Sequence, residues 1–169
     1  MKVEYINPFI SATTNVFDTM VGTELHRGVP SLKDGYQPSH EVSAVIGLSG
    51  KARGTVVLSV DREVAIQVAA ALLQEQPDGL NADVADAMGE MANMIAGQAK
   101  AQLEHLCMSL SLPTVVTGKG HCIDFPRNAM RICIPFSCGW GSLALEVALA
   151  ESSDSTAEVH QDVMAAQTV

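Results

Sequence analysis

The sequence predicts an α+β fold in which two similar halves each contribute a long helix and a β-hairpin to one antiparallel sheet. Three observations carry that expectation. Apolar residues recur at three- and four-residue steps in two separated stretches, and they alternate strictly with other residues in four more. The order helix, short strand, loop, hairpin occurs at 5–60 and again at 81–150, with a further helix at 62–74 as the joint. Identity between the halves is slight, so the repeat is one of pattern.

The first helix is expected over roughly 5–21, where Phe9, Ala12, Val16 and Met20 form an apolar stripe. Pro8 is tolerated because it falls in the first turn, and Gly22 ends the helix. A short extended piece at 23–29 and a Pro-, Gly- and Ser-containing loop at 30–40 follow. Val42, Ala44, Ile46 and Leu48 then alternate, as do Val56, Leu58 and Val60 after a Ser49-Gly50-Lys51 turn, which predicts a hairpin. Asp61 is the expected N-cap of the joining helix, whose stripe is Val64, Ala65, Val68, Ala69 and Leu72, and Gln76-Pro77-Asp78-Gly79 breaks it.

A longer helix is predicted over 81–109, burying Val84, Met88, Met91, Ile95, Ala99, Leu103 and Leu106. Residues 113–117 read as a strand closed by Gly118. Met130, Ile132, Ile134 and Phe136 alternate, and a Cys138-Gly139-Trp140-Gly141 turn leads to Leu143, Leu145, Val147 and Leu149, the second hairpin. Residues 1–150 are expected to form a single domain with the long helices packed on a face of the sheet. Residues 151–169 form a polar tail, either disordered or a short helix.

Composition narrows the function. A net charge of −9, no Lys/Arg-rich run and 4% aromatic residues argue against a nucleic-acid partner or an anionic membrane surface. No run of eighteen apolar residues exists, and an acid at position 4 disfavours a signal peptide, so a cytoplasmic protein is expected. Cys107, Cys122, Cys133 and Cys138 contain no CxxC pair and are expected to be reduced, packed thiols.

Several catalytic signatures fail on spacing. Gly47-Leu48-Ser49-Gly50 meets Lys51 where a nucleophile elbow needs glycine. Gly50-Lys51 and Gly118-Lys119 lack the rest of a phosphate loop, and no HExxH pair exists. His105 and Cys107 would point about 200° apart on a helix, so no metal site is expected.

The long helix carries the informative stripe: Asp86, Glu90, Asn93, Gly97, Lys100 and Glu104, at steps of four and three. A polar stripe is ordinarily a solvated face. Here Asp86 and Glu90 repel one another mildly, and Asn93 stands mid-helix where Gln or Lys would serve better. Gly89 and Gly97 each cost about 1 kcal/mol relative to alanine. Small residues around a carboxylate and a carboxamide would let another molecule approach, which points to a docking surface.

Asp86-x-x-x-Glu90-x-x-Asn93, followed by a proline that opens a strand, resembles the signature of the CheC/CheX/FliY phosphatases, which act on the phosphorylated chemotaxis response regulator CheY. The resemblance covers about 5–150 and includes the duplicated layout, Asn7-Pro8-Phe9 and Ser111-Leu112-Pro113-Thr114. The interval from Asn93 to Pro113 is shorter than is usual in that family, which bears on where the helix ends. In the first helix the matching stretch is Ser11-x-x-x-Asn15-x-x-Asp18, with Asn and Asp where Glu and Asn should stand. A single intact motif is similar to CheX, which the family pattern associates with homodimers.

The resemblance implies that Asn93 orients the water attacking an aspartyl phosphate and that Glu90 pairs with the receiver's active-site lysine. Asp86, Gly97 and Lys100 would support docking. The chain itself would bind no cofactor, because the receiver domain supplies Mg²⁺. Two other readings stand beside this one. One is a non-catalytic module of the same fold that binds a receiver or the flagellar switch, and the other is a homo-oligomer whose stripe merely faces solvent.

Overall fold

The computed structural model describes residues 3–35, 37–126 and 129–152, so residues 153–169 of the expected tail lie outside the described residues. Helix α1 (Asn7–Val16) follows a 3₁₀ turn (Val3–Tyr5), carries Pro8 in its first turn, and buries Phe9, Ala12 and Val16. It then widens into a π-helical turn (Phe17–Val21) that ends at Gly22, where φ is +71° and a left-handed cap closes the helix. A π turn advances each side chain through a smaller angle than an α turn. Phe17 is therefore buried in the core, and Met20, expected to continue the stripe, is 43% exposed.

Among the described residues the sheet has eight strands: β1 (His26–Arg27), β2 (Ser31–Leu32), β3 (Val42–Ser49), β4 (Ala52–Val60), β5 (Ser109–Leu110), β6 (Thr114–Thr117), β7 (Arg131–Cys138) and β8 (Gly141–Glu151). Every pairing is antiparallel, in the order β1-β7-β8-β4-β3-β5, with β2 also on β7 and β6 also on β3. Both predicted hairpins form, and they join through β4 and β8 from Ala52↔Glu151 to Val60↔Leu143. At that join a Cβ on Gly54 would lie 1.9 Å from the Ala148 carbonyl oxygen, so only glycine fits.

The halves exchange their short strands. β1 and β2 of the first half pair with β7, while β5 and β6 of the second half pair with β3. Each hairpin is thus completed by the other half, which ties the duplication into one folding unit. The extended segment expected at 23–29 supplies only the two residues of β1. Met130 precedes β7 and is 54% exposed rather than the first buried position of the alternation.

Alternation sorts the sheet into two faces. Val42, Ala44, Ile46, Val56, Leu58, Leu145 and Val147 share one core with Phe9 of α1 and with Met88, Met91 and Ile95 of the long helix. The opposite face places Ser43, Val57, Ser59 and Glu146 out of solvent as well. Residues from neighbouring loops reach this face: Lys33 and Ser39 bond to Glu146, and His121 to Ser43.

Helix α2 (Arg62–Leu73) starts at Asp61, but that carboxylate does not cap it. Asp61 Oδ2 accepts from the Ser142 amide and hydroxyl at 2.8 and 2.7 Å, and Oδ1 lies 2.8 Å from His40 Nδ1. Partial burial opposes the charge on Asp61, yet the bonds from Ser142 and His40, with the His40 charge, outweigh it and lower the pKa. A pKa lower in the folded than in the unfolded chain adds stability above the unfolded value, which is lost as pH falls through the folded one. The stability advantage of wild type over Asp61→Asn is therefore expected to be present at pH 7. It should shrink below about pH 4, the ordinary aspartate range, as urea midpoints at pH 7 and pH 3 would show.

Helix α3 (Ala82–Ala101) is shorter than predicted. Leu103 and Leu106 do stay in the core, but through a 3₁₀ turn (Glu104–Leu106), and the chain reverses at Cys107, where φ is +46°. That early stop is the physical counterpart of the short interval between Asn93 and Pro113. The expectation of packed thiols fails for Cys107, at this reversal, and for Cys122, on the loop after β6, both exposed. Cys133 is buried, Cys138 partly so, and all four are free. Among the described residues no helix is long and apolar enough to cross a membrane, and no three His, Cys, Asp or Glu side chains are grouped to hold a metal ion.

Candidate functional site

Helix α3 is the best-specified element of the chain. Asn81 caps it by accepting from the Val84 amide at 3.0 Å, Asp83 stands in the first turn and Lys100 in the last, each favourable to the helix dipole. Val84, Met88, Met91, Ile95 and Ala99 are at most 1% exposed, which fixes the rotation of the helix about its axis. That rotation turns Asp86, Glu90 and Asn93 outward along one line. All three are exposed, and among the described residues none of them has a hydrogen-bond or ion-pair partner. Gly97 and Lys100 continue the line half-buried, and Glu104 lies past the end of the helix.

The two glycines differ in purpose. A Cβ on Gly89 would stand 3.3 Å from Pro113 Cγ and 3.7 Å from Val115 Cγ2. Gly89 is therefore small so that the strand after Leu112 can pack against the helix, and not, as expected from sequence, to admit another molecule. Gly97 does face open space, with nothing within 4 Å of a Cβ. Gly97→Ala is thus expected to raise stability by up to about 1 kcal/mol, read as a higher denaturation midpoint.

A cleft of about 470 Å³ lies between α3 and β6, lined by Ala85, Asp86, Gly89, Glu90, Pro113 and Val115. Two carboxylates stand at it, with apolar surface behind them. The corresponding place on the first half is a hollow of about 440 Å³ lined by residues that include Ser11, Asn15 and Asp18. There the pattern is altered in geometry as well as in residue type. Asn15 Nδ2 donates to Gln98 Oε1 of α3 at 3.0 Å, and Asp18 lies in the π turn. Sequence spacing alone retains the steps from 11 to 15 to 18 and gives no sign of either change.

A larger groove, about 520 Å³, opens by the start of α2, lined by His40, Asp61, Arg62, Lys119 and His121 among others. It holds none of the stripe residues. Sequence reading did not join His40, Asp61 and Ser142, which are far apart in the chain and meet only because β4 and β8 are neighbours.

The family described as chemotaxis phosphatase CheX matches residues 42–137, more than half of the chain. A Thermotoga maritima protein described as a CheY-P phosphatase CheX is 30% identical over 122 residues, covering 70% of this chain and 79% of that protein. A crystal structure of the chemotaxis protein CheX from Vibrio vulnificus superposes with a TM-score of 0.80 at 35% identity, covering 88% of this chain and all of that one. A Borrelia burgdorferi CheX, solved as a CheX–CheY–BeF₃–Mg²⁺ complex, gives a TM-score of 0.76 at 26% identity and covers 89% of this chain and all of that one. By the match over residues 42–137 and by the Thermotoga maritima relative, the chain belongs to the CheX family of chemotaxis phosphatases.

Proposed function

We propose that the chain hydrolyses the aspartyl phosphate of a CheY-type receiver, with Glu90 and Asn93 as the residues that act. The observation that carries this reading is their state: both are exposed and unengaged, one helical turn apart, on a helix locked by a buried apolar face. Hydrolysis requires a water in line with the scissile P–O bond and neutralisation of charge on the phosphoryl oxygens. The receiver supplies that neutralisation with its own lysine and Mg²⁺. What remains is to place the water. A carboxamide can accept one hydrogen bond and donate another without titrating near neutral pH, so Asn93 can hold a water by its proton and orient a lone pair on phosphorus.

Glu90, one turn earlier, takes the receiver's lysine in a charge-assisted bond and fixes how far along the helix the receiver sits. Asp86 at the far end of the line adds a rim contact, while Gly97 and Lys100 border the approach. The first half does not duplicate the site, because Asn15 is already engaged and Asp18 has no amide to offer. A single motif per chain is similar to CheX, and that resemblance implies a cytoplasmic homodimer as the working form; light scattering would test the oligomeric state.

The test of the function is phosphate release from a purified, phosphorylated CheY-type receiver with Mg²⁺ and catalytic amounts of the chain. Accelerated release supports the reading. If binding occurs without acceleration for any receiver tried, the protein is a non-catalytic binding module.

A further inference from the structure

We propose that Leu112, together with its neighbour Pro113 and the cleft that Pro113 lines against α3, forms an apolar anchor for the receiver, separate from the water-placing residue. The anchor takes an apolar side chain from the receiver surface around the phosphorylated aspartate, and Asp86 and Glu90 take the positive charge beside it. The inference rests on the phosphatase reading above.

Leu112 is 88% exposed, the most exposed large apolar side chain among the described residues. An exposed leucine alone is unremarkable. This one differs because its backbone is clamped on both sides. The Ser111 amide donates to Gly47 O at 2.9 Å, Ser111 Oγ accepts from the Gly47 amide at 2.9 Å, and the same hydroxyl donates to Leu112 O at 2.8 Å. On the other side Pro113 has a fixed φ and packs over Gly89. The backbone at Leu112 is therefore fixed, and the chain holds an apolar group in water next to Pro113, which lines the cleft. A side chain on backbone that is already ordered loses less conformational freedom on binding than one on a loose loop, which suits an interface anchor.

The occupant follows from what surrounds the ledge. Ala85, Pro113 and Val115 give the cleft an apolar lining, and the carboxylates of Asp86 and Glu90 stand at it with no partner of their own among the described residues. A matching surface carries an apolar side chain next to a lysine or arginine. Because Glu90 belongs both to this cleft and to the proposed catalytic line, whatever fills the cleft is continuous with whatever meets Asn93.

The experiment compares Leu112→Ser, Leu112→Met and Asn93→Ala with wild type. It measures kcat and KM for phosphate release and Kd for a CheY-type receiver loaded with beryllofluoride and Mg²⁺. Leu112→Ser is expected to raise KM and Kd about ten- to a hundredfold, as loss of a buried leucine contact would, with kcat at saturation unchanged. Leu112→Met should recover most of the affinity. Asn93→Ala should do the reverse, losing kcat and keeping Kd. If Leu112→Ser stays within twofold of wild type in both KM and Kd while Asn93→Ala abolishes turnover, the anchor is wrong and the phosphatase reading stands. If wild type neither binds nor dephosphorylates any receiver tried, both fail together.

Discussion

Asn93→Ala is expected to slow phosphate release by about a hundredfold or more, the loss typical when one preorganised polar group is removed from a transition state. The loss should fall on kcat, because water placement is worth most as the P–O bond breaks, and Kd for a beryllofluoride-loaded receiver should change little. Stability provides the control. Asn93 is exposed and has no partner among the described residues, and alanine is the better helix former, so the variant should unfold no more easily than wild type. An inactive, well-folded, receiver-binding variant is a result that a purely structural role for Asn93 cannot produce. Glu90→Ala should differ in kind, raising KM, and its effect should fade with added salt because a charge pair at the surface is screened. Near-wild-type turnover by Asn93→Ala would overturn the assignment of the water-placing residue.

What could be read from sequence was what depends on local spacing. The alternations at Val42–Leu48 and Leu143–Leu149 and the stripe from Val84 to Ala99 each have a single regular period, and the structure places all three on the core side. Their regularity also oriented Asp86, Glu90 and Asn93 correctly, since burying one side of α3 decides the other. The errors came where the period changes or where distant segments meet. Met20 was misplaced because the first helix becomes π-helical after Val16. The helix end was placed late because Leu103 and Leu106 keep an apolar rhythm through a 3₁₀ turn. Gly89 was given an outward reason, yet its neighbour is Pro113, more than twenty positions away in the chain. The exchange of short strands between the halves was invisible, since it rests on pairings such as Ser31↔Cys133 and Thr117↔Val42 that no local pattern announces.

Glu146 is the sharpest case of a residue whose importance appears only in three dimensions, and replacing it should have the largest effect on stability. Between the apolar residues Leu145 and Val147 of β8, its carboxylate is 0% exposed. Oε1 accepts from Lys33 Nζ at 2.6 Å and from Ser39 Oγ at 2.9 Å, and Arg131 Nη2 stands 2.6 Å from Oε2 as an ionic contact without good hydrogen-bond alignment. Arg131 in turn donates to Gly35 O and Gln37 O and lies with its Cζ 4.4 Å from the centre of the Phe125 ring. One buried charge thus holds the loop before β3 against the sheet face opposite the helices. Glu146→Ala would leave Arg131, 5% exposed, as an uncompensated cation, which costs about 3–5 kcal/mol. Lys33, 22% exposed, can turn toward water and adds less to the loss. The double variant Arg131→Met/Glu146→Leu discriminates between a pair that stabilises and a pair that is merely costly to break. With no charge stranded, its unfolding midpoint should lie much closer to wild type than that of Glu146→Ala, a strongly non-additive result. If the double variant is instead as unstable as the single one, the guanidinium bonds of Arg131 to the Gly35 and Gln37 carbonyls hold the loop and the ion pair is secondary. Either variant, where folded, should keep the kcat of wild type, because β7 and β8 carry the cluster and α3 carries the stripe.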